Sequence, residues 1–202
     1  FLDPQKFNPD AIKERMGLTG KKVVMFLGTP RPHKGIDDLL IALKQINISG
    51  LRLVIIGEEN QQEFLNRVDH SIRDRVVVLP KTPFQSLPEF LSAADIIAIP
   101  QRQTSDSVGQ IPARLFDAMS MAKPIIATRV SDIPEVLEDC GYLVDPSEPG
   151  QLADGIQYIL SHPGEAKAKG YAARERCKQR YDIHNLESGL HELVEHVSAK
   201  KG

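Results

Sequence analysis

At 202 residues, 41% hydrophobic and 26% charged, the chain has room for one large soluble domain or two small ones. A formal net charge of −2 argues against a broad nucleic-acid surface, and no apolar run reaches membrane-spanning length. Its two cysteines, Cys140 and Cys177, stand in no metal or redox spacing and are expected as reduced, structural thiols of a cytoplasmic protein.

The opening "FLDPQKFNPDAIKERMGL" reads as a linker that begins in mid-protein, with no signal peptide before the first strand. Six short apolar, β-branched runs follow: 21–28, 51–57, 75–80, 95–100, 124–129 and 142–145. They scarcely alternate, which suits strands covered on both faces, as in a parallel sheet. Between the first two, Ile36, Leu39, Leu40, Leu43 and Ile46 fall at helical spacing. Asp37 and Asp38 there occupy the first turn, where they complement the helix dipole. Ser86 and Glu89 offer a capping box for a further short helix. Beyond residue 148 the pattern becomes wholly helical, ending in "HNLESGLHELVEHVSAK". Strand and helix in alternation predict an α/β, Rossmann-like three-layer domain with a mostly parallel six-stranded sheet and a helical C-terminal tail. Ligands of such sheets bind outside the carboxyl ends of the strands.

The loop after the first strand, "GTPRPHKG" (28–35), is neither a P-loop nor a dinucleotide fingerprint, because its glycines are wrongly placed. What remains is a strand-end Gly28, Arg31 and Lys34 stiffened by Pro30 and Pro32, and then a helix. A fixed guanidinium and ammonium at the ligand edge suit a diphosphate, and a solvated basic turn is the plain alternative. The stretch "SDSVGQIPARLFDAMSMAKPIIAT" (105–128) supplies the opposite wall. Pro112 is expected at the first helical position, which leaves the amides of Ala113 and Arg114 free as an anion site. Asp117, a carboxylate one turn further among apolar neighbours, suits vicinal ribose hydroxyls. "HELVEH" (191–196) fails as a metal motif, because histidines five apart lie roughly 140° around a helix.

Taken together, these stretches resemble the C-terminal, donor-binding half of the group 1 glycosyltransferases of GT-B architecture, of the retaining family 4 type. The linker pattern is met by Leu2-Asp3 and Phe7-Asn8-Pro9, and the Gly-Arg-x-x-x-x-Lys-Gly pattern by Gly28, Lys34 and Gly35. Gly57, the run from Leu87 to Pro100, Asp117 to Thr128, Asp132 to Val136 and Gly141 to Pro146 continue it. Two positions depart from the family. Thr29 replaces the usual arginine, with Arg31 the nearest guanidinium, and Gly109 and Asp117 stand where paired glutamates are common.

The resemblance implies transfer of a hexosyl group from a nucleoside-diphosphate sugar, UDP or GDP type, to an acceptor hydroxyl with retained configuration. Lys34 and Arg31 would be the catalytic cations that stabilise the departing diphosphate. Donor contacts would come from Gly28, Thr29, Arg31, Lys34, Lys81, Ser107, Gly109, Gln110, Pro112, Ala113, Arg114 and Asp117. Lys81, with Pro80 and Thr82, would flank the nucleobase, and Asp106, Ser105 or Ser107 would help hold the sugar. No metal and no separate cofactor is expected. The implied organisation is an interdomain linker with a lead-in helix (1–20), the nucleotide-sugar domain (21–180) and a C-terminal helix (181–202). The stripe Leu186, Leu190, Leu193 and Val197 on that helix would pack on an absent N-terminal domain. That domain would carry the acceptor, a sugar or lipid-linked sugar, in a cytoplasmic enzyme for which peripheral membrane association stays open. A non-catalytic sugar-nucleotide binder and a GT-B-type epimerase are the alternatives.

Overall fold

The computed structural model describes residues 2–182. The helix expected over 181–202, its apolar stripe and "HELVEH" thus lie essentially outside the described residues. The six apolar runs form β1 (Lys22–Leu27), β2 (Leu51–Ile56), β3 (Val76–Leu79), β4 (Ile96–Ile99), β5 (Ile125–Thr128) and β6 (Tyr142–Val144). They make one sheet in the order β3-β2-β1-β4-β5-β6, and every neighbouring pair is parallel.

Why these runs scarcely alternate is visible in the packing. Val24, Phe26, Leu53 and Ile55 point to a core covered by α2 (Ile36–Gln45), α3 (Gln61–Arg67) and α7 (Pro149–Ser161). Val23, Met25, Leu27, Val54 and Ile56 point to a second core. That second face is covered by α4 (Leu87–Ala93), α5 (Ala113–Ser120), α6 (Ile133–Leu137) and α8 (Pro163–Arg180). The inner strands β1, β2, β4 and β5 therefore bury both faces, while the edge strands β3 and β6 are partly covered. Each buried aliphatic side chain contributes about 1.5–3 kcal/mol relative to its exposed state.

The opening segment folds onto this body. Asn8 caps α1 (Pro9–Arg15) by accepting the amides of Asp10 and Ala11, and the helix packs on α4. Lys13 reaches Asp95 at 2.7 Å, and the same carboxylate oxygen accepts the Val23 amide. Glu89 pairs with Arg15, so the capping box expected from Ser86 and Glu89 does not form. The residues before α4 make a 3-10 turn, Phe84–Ser86, and Ser86 makes no side-chain cap. At the far end of α4, the Lys123 ammonium donates to the carbonyls of Ser92 and Ala94 at 2.6 and 2.9 Å. Burial holds that ammonium down to about 8.

Asp37 is exposed at the start of α2, as expected, but Asp38 is buried at 4% exposure. It faces Arg102 rather than solvent, and the guanidinium donates to both of its carboxylate oxygens at 2.7 and 2.6 Å.

Candidate functional site

In the strand order the chain reverses direction between β1 and β4, and a crevice opens there at the carboxyl edge. The loops after β1 (28–35) and after β4 (100–112) form its two walls. A cavity of about 560 Å³ occupies this crevice, within the range of small-molecule sites.

Close approach of the two walls depends on glycine. Gly35 takes a left-handed backbone, φ +69°, and a Cβ there would lie 1.7 Å from the Pro100 carbonyl oxygen. Gly57, after β2, has φ +121°, and its Cβ would lie 2.8 Å from the Gly28 carbonyl carbon. The β1 and β2 ends thereby meet without side chains between them, which leaves room above.

Of the residues singled out in the sequence, the cavity brings together Gly28, Thr29, Lys34, Lys81, Gln110, Pro112, Ala113 and Arg114. The Lys34 ammonium sits 3.3 Å from the position of a Cβ on Gly28, so it points across the strand end. Burial, followed by the charges of Arg31 and Arg114, holds Lys34 below the ordinary lysine range. A cation crowded by two guanidiniums is poised for an anion, because a bound anion relieves all three at once. Opposite it begins α5. Pro112 is its N-cap, φ −63° and ψ 125°, and not its first helical residue as the proline preference suggested. The outcome for the amides is the same. The first turn closes with Leu115 N donating to Pro112 O at 2.9 Å, and the amides of Ala113 and Arg114 precede that bond.

Four of the twelve expected donor contacts lie outside the lining, as do Pro80, Ser105 and Asp106. Arg31 is exposed beside it and acts on Lys34 through charge. Ser107 is fully buried. Its hydroxyl donates to the Arg102 and Thr104 carbonyls and accepts the Thr104 amide, so the side chain is spent on knotting its own loop. Gly109 is exposed, with φ +77°, and its amide donates to Ser131 at 3.0 Å. Asp117 does not face the cavity. Its carboxylate is drawn back to Arg114, three residues earlier on the same helix, at 3.2 Å. Burial raises the Asp117 pKa, and the Arg114 guanidinium opposes that rise. Asp106 lies 3.9 Å from the ring of His33, on the loop above.

Sequence reasoning passed over three features. Gln101 is buried at the cavity wall and donates to the Ser107 carbonyl at 3.2 Å. Glu59 is exposed, as a solvated turn implies, yet it accepts the Lys81 amide at 3.3 Å and so ties the turn after β2 to the rim after β3. The Asp38–Arg102 pair joins the two walls. Its signal was present, since a carboxylate four residues before Ala42 falls on the apolar face of α2 and needs a partner. Among the described residues, no group of three or more His, Cys, Asp or Glu could hold a metal, and no helix is long and apolar enough to cross a membrane.

A family profile described as "Glycosyl transferases group 1" matches residues 21–162. A GDP-mannose-dependent alpha-(1-6)-phosphatidylinositol monomannoside mannosyltransferase of Mycolicibacterium smegmatis is 27% identical, over 96% of this chain and 54% of that protein. The D-inositol 3-phosphate glycosyltransferase of the same organism is 31% identical, over 94% of this chain and 44% of its own. The chain thus spans about half the length of the curated relatives it matches. A solved Anabaena protein, Alr3699/HepE in complex with UDP, superposes with a TM-score of 0.81 at 20% identity, over 93% of this chain and 52% of that one.

Proposed function

From the premise that this chain belongs to the group 1 glycosyltransferases, as the C-terminal half of their GT-B fold, we propose that its cavity binds a nucleoside-diphosphate sugar of the UDP or GDP type. One observation carries this reading. Lys34 and the open amides of Ala113 and Arg114 line the same crevice from opposite walls. A pyrophosphate between them would meet one ammonium, the amide end of α5 and the flanking guanidiniums of Arg114 and Arg31. The base would lie toward Gly57, Lys81 and Thr82, at the ends of β2 and β3. Asp117 orients Arg114, and ribose contact by Asp117 itself requires that pair to open.

The reaction that fits is hexosyl transfer with retention. The bond from the sugar's anomeric carbon to the diphosphate oxygen breaks and one to an acceptor hydroxyl forms on the same face, the hydroxyl proton leaving with the diphosphate. The cations stabilise charge growing on the leaving oxygen, where preorganised donors are most effective. This cluster supports a metal-independent reaction. The acceptor, a sugar or lipid-linked sugar, belongs to the partnering half of a cytoplasmic enzyme, and the relative that acts on a phosphatidylinositol monomannoside favours the lipid-linked case.

The test is thermal shift and calorimetry of the chain with UDP, GDP and ADP, each with and without EDTA. Selective stabilisation by UDP or GDP, unchanged by EDTA, is the expected result. Stabilisation by none of the three would refute the donor site, and loss of binding in EDTA would refute metal independence.

A further inference from the structure

Beyond the groups that would touch a nucleotide, the Asp38–Arg102 pair joins the walls of the cavity. Asp38 belongs to α2, directly behind the loop that carries Lys34, and Arg102 belongs to the loop that leads to α5. The guanidinium grips the carboxylate with two hydrogen bonds, 2.7 and 2.6 Å, while the Arg102 amide donates to the His33 carbonyl at 2.8 Å. Two residues apart, the same segments touch again where Gly35 meets the Pro100 carbonyl. The start and the middle of the 100–112 loop are anchored on the other side too. Ser131 donates to the Ser107 carbonyl and accepts the Gly109 amide, both at 3.0 Å, and Thr128 donates to the Gln101 carbonyl at 2.5 Å. The loop before α5 is thus tied on one side to α2 and on the other to the end of β5.

We propose that Asp38 and Arg102 form a positioning clamp that sets the separation between Lys34 and the amide end of α5. The proposal rests on the donor-site reading for its ligand. Neither residue lines the cavity, so each acts through what it holds. An aspartate buried on the apolar side of α2 is costly unless it is paired. A two-pronged arginine supplies direction as well as charge, which lysine does not. A diphosphate that spans two walls is sensitive to their spacing, whereas a nucleoside seated at the β2 and β3 ends is not.

The test uses the 202-residue chain with Asp38→Asn and Arg102→Lys. Calorimetry with UDP, GDP, uridine and guanosine gives both affinity and binding stoichiometry, and hydrogen exchange of the free chain reads residues 31–35 and 101–112. Asp38→Asn is expected to weaken nucleoside-diphosphate binding roughly 5- to 50-fold at unchanged stoichiometry, since lost preorganisation appears in affinity. Nucleoside affinity should stay within about twofold, because preorganisation of the diphosphate walls does not enter it. Arg102→Lys, which keeps the charge but loses the fork, should fall between the wild type and Asp38→Asn. Exchange over 101–112 should quicken in both variants. A drop in stoichiometry at unchanged affinity would show a merely structural pair and overturn the clamp, as would unchanged diphosphate affinity at full stoichiometry. Should the wild type bind neither UDP nor GDP, the donor site falls instead, and exchange still decides the clamp: quickened exchange upholds it and unchanged protection overturns it.

Discussion

Alanine at position 35 would place a methyl carbon 1.7 Å from the Pro100 carbonyl oxygen, an overlap with backbone that no rotamer can relieve. Two costs combine. The left-handed backbone, φ +69°, costs an L-residue about 1–2 kcal/mol. Forcing the 28–35 and 100–112 loops apart adds about 1–3 kcal/mol, the usual range for overpacking. The sum, about 2–5 kcal/mol, corresponds to a fall in melting temperature of roughly 4–20 °C for a domain of this size. Gly20 provides the matched control. Its φ is +70°, and a Cβ there meets nothing within 4 Å. Gly20→Ala should therefore show the backbone cost alone, about 1–2 kcal/mol. Circular-dichroism melts of the two variants, with urea titrations at 25 °C, measure the difference. Equal losses in both variants would mean that the loops do not touch at Gly35, and the two-walled crevice would lose its foundation.

Lys34→Met should weaken UDP or GDP binding by about 10- to 100-fold, the value of a charge-assisted contact, and leave uridine and guanosine nearly unaffected. Equal weakening of nucleotide and nucleoside would make Lys34 structural. Lys34 sits below the ordinary lysine range in the free chain, and a bound diphosphate raises it. Calorimetry at a series of pH values up to the ordinary lysine value of about 10.5, in buffers of different ionisation enthalpy, should therefore detect proton uptake by the wild type and less by Lys34→Met. Lys123, held near 8 in the fold, binds its proton more weakly there than in the unfolded chain. Stability should thus rise with pH between about 8 and 10.5, and Lys123→Met should flatten that rise. A wild-type and variant difference that is constant across the window would remove the burial argument. Asp117 has a raised folded pKa, mainly through burial, so its ionised form is the less favoured one in the fold. Wild type should gain stability relative to Asp117→Asn as pH falls from 7 through the carboxylate range, which paired urea titrations can follow; a gap that widens instead, with the wild type losing ground, would contradict it.

Much of the fold was legible because both sheet faces are covered: a buried parallel strand announces itself as a nearly continuous apolar run, as in β4, and even β2, interrupted by Arg52, kept that signature. Boundaries shifted by a residue at the flanking Gly, Pro and charged positions, where pairing ends. The capping box was misread because Glu89 found a stronger partner in Arg15, 74 positions away, which local spacing cannot reveal. For Asp38 the burial was legible but its partner was not, because Arg102 is 64 residues on. Ser107, on the loop before α5, and Asp117, on α5 itself, carry ligand-binding chemistry close to the cavity. Their side chains turned to nearer partners, a carbonyl knot and a helical guanidinium, and composition carries no record of that competition.

The ties around the cavity are unevenly shared. Side-chain and backbone bonds hold residues 100–112 to α2 and to the end of β5. The rim at 80–86 instead leans on Glu59 and displays Phe84, 61% exposed. Segment exchange with a relative is therefore modular here: chimeras that trade residues 80–86 would re-cut the lip above β2 and β3, while the anion grip keeps its scaffold.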